Sequence, residues 1–379
     1  MIGRRDRIGF AVVLTAVSGL LVENGTSSSP WLFVDPWGLL YVLPLYGLHL
    51  LVLARIVLAA RRPSLPLLYV AGALLGLYEA WITKVLWSPT WGPTDGAVVG
   101  GLHVLQTAVL VLFAHPVLAF IAPLVIAETH LVGGSGIVAG MPPRLAAVLR
   151  SPRGLVWVAG VVTLVLAAHH AAVPGGPLVV AASAALNTAV VAVLVWWWLR
   201  RYAARALPSL SAILPGRVAT GWLAVALGAL YLGSAVLVRP EGIPRTIGPH
   251  LVLAAGYAVL VTVLVRLVRP ARRVTSEVSA PDGVTEAREV SGRHTGVDAE
   301  LPAPEGGRGP RTPLVVFLVG YPLVSAALAA APAVAAPIVV ASWLVAVPYG
   351  AWQLVRAVRL SLVRPRATPP PARRPRRRG

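Results

Sequence analysis

Long apolar runs decide what this chain can fold into. A helix of roughly 20 apolar residues spans a hydrocarbon core about 30 Å thick. Leu39–Ala60, Leu65–Leu86, Leu178–Leu199, Val218–Val238, Leu251–Val268, Leu314–Ala331 and Ala333–Val355 all reach that length with almost no charge. Leu155–Ala172 is slightly short but uncharged, and Ile8–Val22 is the shortest run at 15 residues. Gly96–Ala127 is too long for one straight helix and is broken by His115-Pro116 and Pro123, so it reads as one kinked crossing. The expected fold is an all-α polytopic transmembrane helical bundle of about ten spans. A composition of 57% apolar and 12% charged residues excludes an ordinary soluble domain.

The charge surplus, 33 basic against 14 acidic residues, tests the threading. Arginine is retained on the cytoplasmic side of short loops. With the N-terminus inside, alternation leaves only Arg239 and Arg245 outside, so 30 of 32 arginines obey the rule. Two crossings within 96–127 would invert everything downstream and turn this bias into a violation. Both termini are therefore expected to be cytoplasmic in a multi-pass protein of the cell membrane. The basic start and short first run also fit a cleaved signal peptide, but no small-x-small cleavage site follows, which favours a signal anchor. Asn24-Gly25-Thr26 forms a glycosylation sequon on the expected outer face, a pattern short enough to arise by chance.

The chain divides into an eight-span block over 1–268, a linker over 269–312, a two-span hairpin over 313–355 and a basic tail over 356–379. The linker, rich in charge, Pro, Gly and Ser, cannot bury enough apolar surface to fold and reads as disordered. The tail ends in Pro-Ala-Arg-Arg-Pro-Arg-Arg-Arg-Gly. Without interleaved aromatics or a binding module it does not suit nucleic acid; its expected partners are anionic lipids of the bilayer. Trp196-Trp197-Trp198 before Arg200-Arg201 reads as an interfacial anchor.

Ionisable residues inside spans are costly and mark candidate sites. The third span holds Glu79 and Lys84, the only lysine, which is expected to snorkel to the outer surface near Trp87. Gly72, Gly76, Glu79 and Thr83 share one helical face, and Gly96, Gly100, His103 and Thr107 repeat the spacing on the next span. If both segments are antiparallel helices joined near 87–95, Glu79 lies level with His103, Thr83 with Gly100, and Gly76 with Thr107. Small residues let backbones approach, and polar side chains then bond across. Glu79 and His103 are thus expected to meet inside the membrane, where they could share one proton as a relay or cation site, or act as structural glue.

His49, Gln106 and Asn187 are weaker candidates for the same pathway, and His49 and Asn187 also read as packing residues. His169-His170 point apart on a helix and suit an interface better than a metal. Cysteine is absent, and no HExxH, GxSxG or P-loop occurs, so no metal or cofactor is expected.

Tyr78-Glu79-Ala80-Trp81-Ile82-Thr83-Lys84-Val85-Leu86-Trp87, Ala114-His115-Pro116 and Phe120-Ile121-Ala122-Pro123-Leu124 resemble segments of uncharacterised prokaryotic polytopic membrane proteins. The resemblance covers residues 65–130 and implies no activity. Three functions stay open: a transporter or permease for a small solute or ion, suited to mid-membrane ionisables and Pro-broken helices; an intramembrane enzyme acting on lipid, with Glu79 and His103 as acid and base; and a non-catalytic scaffold. Transport leads, because no acidic or metal-binding cluster accompanies the pair.

Overall fold

Inside hydrocarbon a backbone must satisfy its own polar groups, and the apolar runs do so as helices. The computed structural model describes residues 2–60, 63–88, 97–134, 136–203, 206–269 and 312–363. Its membrane helices are α1 Arg4–Thr26, α2 Gly38–Val57, α3 Leu65–Trp81, α4 Val104–Leu131, α5 Pro152–His170, α6 Gly176–Arg201, α7 Arg217–Leu237, α8 Ile247–Val268, α9 Thr312–Ala329 and α10 Pro332–Leu362. Among the described residues nine of these are long and apolar enough to cross a membrane, and α3 is the shorter one.

Local chemistry sets the ends. Ser151 caps α5 by accepting from the Gly154 N–H at 3.0 Å, with Pro152 in the first turn. Helix α1 stops where Ser27 turns left-handed at φ 58°. It is therefore longer than the apolar run Ile8–Val22: nothing between Arg4 and Thr26 breaks a helix, and Glu23 and Asn24 are wound into its last turns, both buried. Asn24 of the sequon is buried, its Oδ1 accepting from Asn187 Nδ2 at 3.1 Å.

The segment before α4 departs from the helical expectation. Val98–Val99 (β1) pairs antiparallel with Leu102–His103 (β2), turning through Gly100 and Gly101 at φ 59° and 88°. Two successive positive φ values cannot continue a helix, so α4 begins only at Val104. From there 28 residues run on as one crossing-length helix. Its centre, Leu110–Ile121, is wound as a π-helix, which accommodates the missing N–H of Pro116.

The glycine face of α3 does meet α4, at a different register. A β-carbon on Gly72 would strike the Pro116 backbone, and one on Gly76 would lie 3.2 Å from the Leu110 carbonyl and the His115 Cβ. Helix α1 packs on α2, α4, α5 and α6, while α3 is enclosed by α2, α4, α8 and α10. The last two helices enter this bundle. Helix α9 lies on α5 and α6, and α10 crosses α3, α4 and α5. Helix α10 also takes in residues 356–362, the start of the expected tail. The expected disordered linker, apart from its first and last residues, and the tail from 364 onward lie outside the described residues.

Polar contacts separate the two ends of the bundle. At one end Arg201 pairs with Asp6 at 2.7 Å and Arg7 donates to the Leu214 carbonyl at 2.6 Å. At the other, Lys84 is buried rather than snorkelling. Its ammonium donates to the Ile82 and Ala235 carbonyls at 3.1 and 2.8 Å, because the chain after Trp81 leaves the helix and folds inward against the end of α7. Arg239 in turn donates to the Lys84 carbonyl at 2.9 Å. In the tryptophan run, Trp198 points inward and donates to the Leu131 carbonyl at 2.7 Å, while Trp196 and Trp197 face outward.

Candidate functional site

Helix α3 is interrupted at Leu77, and its final turn, Tyr78–Trp81, carries Glu79. The π-helical stretch of α4 carries His115 opposite it. Glu79 Oε1 lies 3.4 Å from His115 Nε2, with the two side chains 13% and 1% exposed. Thr83 donates to Glu79 Oε2 at 3.4 Å and to the Glu79 carbonyl at 3.2 Å. The register explains the partner: with α4 starting after the 98–103 turn, His115 rather than His103 reaches the depth of Glu79.

His115 Nδ1 lies 3.1 Å from the Leu110 carbonyl. A carbonyl only accepts, so Nδ1 carries a hydrogen. Nε2 is then either a bare acceptor or, in the imidazolium, a donor. Facing it are Glu79 and the Tyr46 hydroxyl, the latter at 3.4 Å, and Tyr78 donates to the Tyr46 oxygen at 3.2 Å. One proton between Nε2 and Oε1 gives two arrangements: imidazolium with carboxylate, or imidazole with carboxylic acid. Tyr46 and Tyr78 enclose this unit, with ring centroids 5.9 and 5.5 Å from His115.

One turn along α2, His49 holds the Leu45 carbonyl at 2.8 Å through Nδ1 and pairs with the Tyr231 hydroxyl through Nε2. Its ring lies 5.3 Å from that of Tyr78, so it borders the cluster. Glu23 borders it on the other side, its carboxyl group set against the hydroxyls of Tyr46, Ser28 and Ser29.

The remaining expected residues lie elsewhere. His103 closes β2, its Nε2 3.0 Å from Ser88 Oγ, and Thr107 donates back to the His103 carbonyl at 2.7 Å. Gln106 sits in the first turn of α4. Gly100 forms the turn, and Gly96 lies outside the described residues. Asn187 donates to Asn24 Oδ1 at 3.1 Å and to the Pro30 carbonyl at 2.8 Å, tying α6 to α1. His169 and His170 meet different serines, Ser342 at 3.1 Å and Ser183 at 2.9 Å. Among the described residues no group of three or more His, Asp or Glu could hold a metal. An apolar hollow of about 350 Å³ lies away from the cluster, between Leu105 and the Trp343–Pro348 stretch of α10.

Sequence reasoning missed Glu23, Tyr46 and Tyr78 and found His115 only as a kink residue. The available signals were the absence of a helix breaker through Glu23 and a histidine set immediately before a mid-span proline. Comparison with known proteins adds kinship. The model of an "Uncharacterized membrane protein family" matches residues 12–365. An uncharacterised protein of Archaeoglobus fulgidus is 46% identical over 116 residues, 30% of this chain and 35% of that relative. The match thus spans about a third of the relative's length. No solved structure matches the chain.

Proposed function

Since the chain belongs to this uncharacterized membrane protein family and folds as a bundle of apolar helices, we propose that it is a transporter or permease of the cell membrane, with Glu79 and His115 as its coupling site. The observation that carries this reading is the single-proton geometry: Glu79 lies 3.4 Å from an imidazole nitrogen while the other nitrogen is committed to the Leu110 carbonyl. The site lies where α3 breaks and α4 widens. Non-helical backbone at membrane depth is tolerated where protein buries it or where it lines a site, and substrate sites of transporters are commonly built from discontinuous helices. A carboxyl group that changes charge at such a break alters the local field seen by a solute, which is the elementary requirement for coupling.

The test uses the reconstituted protein on a solid-supported membrane, challenged with cationic, anionic and zwitterionic small solutes. The wild type is expected to give proton-coupled charge movement with at least one class. Glu79→Gln, inserted and folded as the wild type, is expected to lose the proton component. Silence of the wild type toward every class overturns the reading, as does unchanged proton coupling in Glu79→Gln. In either case a purely stabilising contribution from the pair would favour the scaffold.

A further inference from the structure

Glu23 is buried in the last turns of α1, beside a cluster to which an apolar helix end need contribute nothing. Its carboxyl group is surrounded by the hydroxyls of Tyr46, Ser28 and Ser29, and it interacts electrostatically with Glu79. Its Oε2 atom has no hydrogen-bond partner among the described residues. A buried carboxyl oxygen without a donor is costly, and it is also free to take a proton. Ser28 is exposed at the face where α1 ends. From Ser28 inward lie Glu23, Tyr46, His115 and Glu79, with the Tyr46 hydroxyl and Glu79 Oε1 each 3.4 Å from His115 Nε2.

Among the described residues the opposite direction is mainly apolar, with the Thr15 hydroxyl packed against Gly47. Toward the face where α1 begins, the same helices present Leu14, Val17, Leu50, Leu53 and Leu68, all buried. The hydroxyl of Ser18 is spent on the Ala119 carbonyl at 2.7 Å, and His49 is held between Leu45 and Tyr231.

We infer that Glu23 is a proton-loading group that, through Tyr46, connects the Glu79–His115 pair to the face where α1 ends. Water at Ser28 gives a proton to the Glu23 carboxylate. Protonated Glu23 donates to the Tyr46 oxygen as the Tyr46 O–H bond gives its own proton to His115 Nε2. The imidazolium then releases that proton from the same nitrogen to the Glu79 carboxylate, leaving Glu23 ionised and Glu79 neutral. The imidazole ring need not flip, because Nδ1 stays on Leu110. Loading is one-sided, so release to the other face requires rearrangement of the apolar layer, the requirement of alternating access.

This inference rests on Glu79–His115 as the coupling site, but its test needs no solute. The full-length protein in proteoliposomes is transferred to D2O, and infrared difference spectra follow the carbonyl bands of protonated carboxyl groups. The band lost in Glu79→Gln identifies Glu79. Glu23→Gln and Tyr46→Phe are expected to slow its exchange by about a hundredfold, the scale of removing a positioned proton-transfer group. Glu23→Asp, which keeps the carboxyl group, is expected to restore part of the rate. Exchange as fast as wild type in both Glu23→Gln and Tyr46→Phe overturns the route. So does a wild-type spectrum in which neither carboxyl group gives a band at any pH. Slowed exchange without solute-driven current leaves the route standing and overturns transport alone.

Discussion

Glu79 and His115 each satisfy a demand the other creates. Removal of either partner strands a polar group in a water-poor place, at a cost of about 1–3 kcal/mol. Glu79→Gln and His115→Ala are each expected to lower thermal stability in lipid, and the double variant to lose less than the sum, because groups in contact are not additive. Strict additivity in a double-mutant cycle would show that they do not interact. The same cycle with His103→Ala in place of His115→Ala is expected to be additive, since His103 faces Ser88. Glu79 was legible because a carboxyl group inside an apolar run has few bland explanations. Its partner was not. The register of α4 depends on two glycines turning through positive φ, and both helical and turned readings of Gly100-Gly101 satisfy the local sequence. Glu23 was hidden for a related reason: hydropathy falls before the helix ends, and the polar last turns of α1 look like loop.

At the scale of elements, α3 and α4 are fastened by glycines and by a proline that has no N–H to lose. Where Gly72 faces the Pro116 backbone, a side chain cannot be accommodated by a rotamer change. Gly72→Leu is expected to cost about 1–3 kcal/mol or to prevent folding, as overpacking of a rigid contact does. Gly228→Leu on α7, where nothing lies within 4 Å of the added carbon, is expected to stay within about 0.5 kcal/mol of wild type. Thermal unfolding of both variants in lipid measures the contrast, and equal losses would refute the close approach. The helices themselves were readable, because length and apolarity leave the backbone no alternative in hydrocarbon. The end of α3 was not, since the chain after Trp81 is held by contacts with α7 and Arg239 that are distant in sequence.

For the whole molecule, the arginine partition predicts a side for each end of the bundle. The Asp6–Arg201 contact and the Arg7–Leu214 contact gather the start of α1, the end of α6 and the approach to α7 at one face. That face is expected to be cytoplasmic, together with residues 269–312. A cysteine introduced at Ser279 should react with an impermeant maleimide in inside-out vesicles and not in intact cells; the reverse pattern would overturn the topology. Vesicles containing anionic lipid are expected to retain the chain's basic C-terminal tail more strongly than neutral ones, and the difference should shrink in high salt.

The insertion of α9 against α5 and α6 carries a consequence for biosynthesis. The ring of Tyr321 on α9 lies 5.8 Å from that of His170 on α5, and Ser342 on α10 meets His169. Chain emerging from the ribosome delivers α5 and α6 long before α9 and α10 exist. Until the last pair arrives, His169 lacks Ser342, and His170, already bonded to Ser183 of α6, lacks the Tyr321 ring, so the contacts of the earlier helices are completed only when the latest-made helices are threaded. Maturation is therefore timed by the end of translation. Fragments 1–290 and 291–379, made as separate chains in one cell, should assemble into a protease-resistant bundle, while 1–290 alone should be degraded.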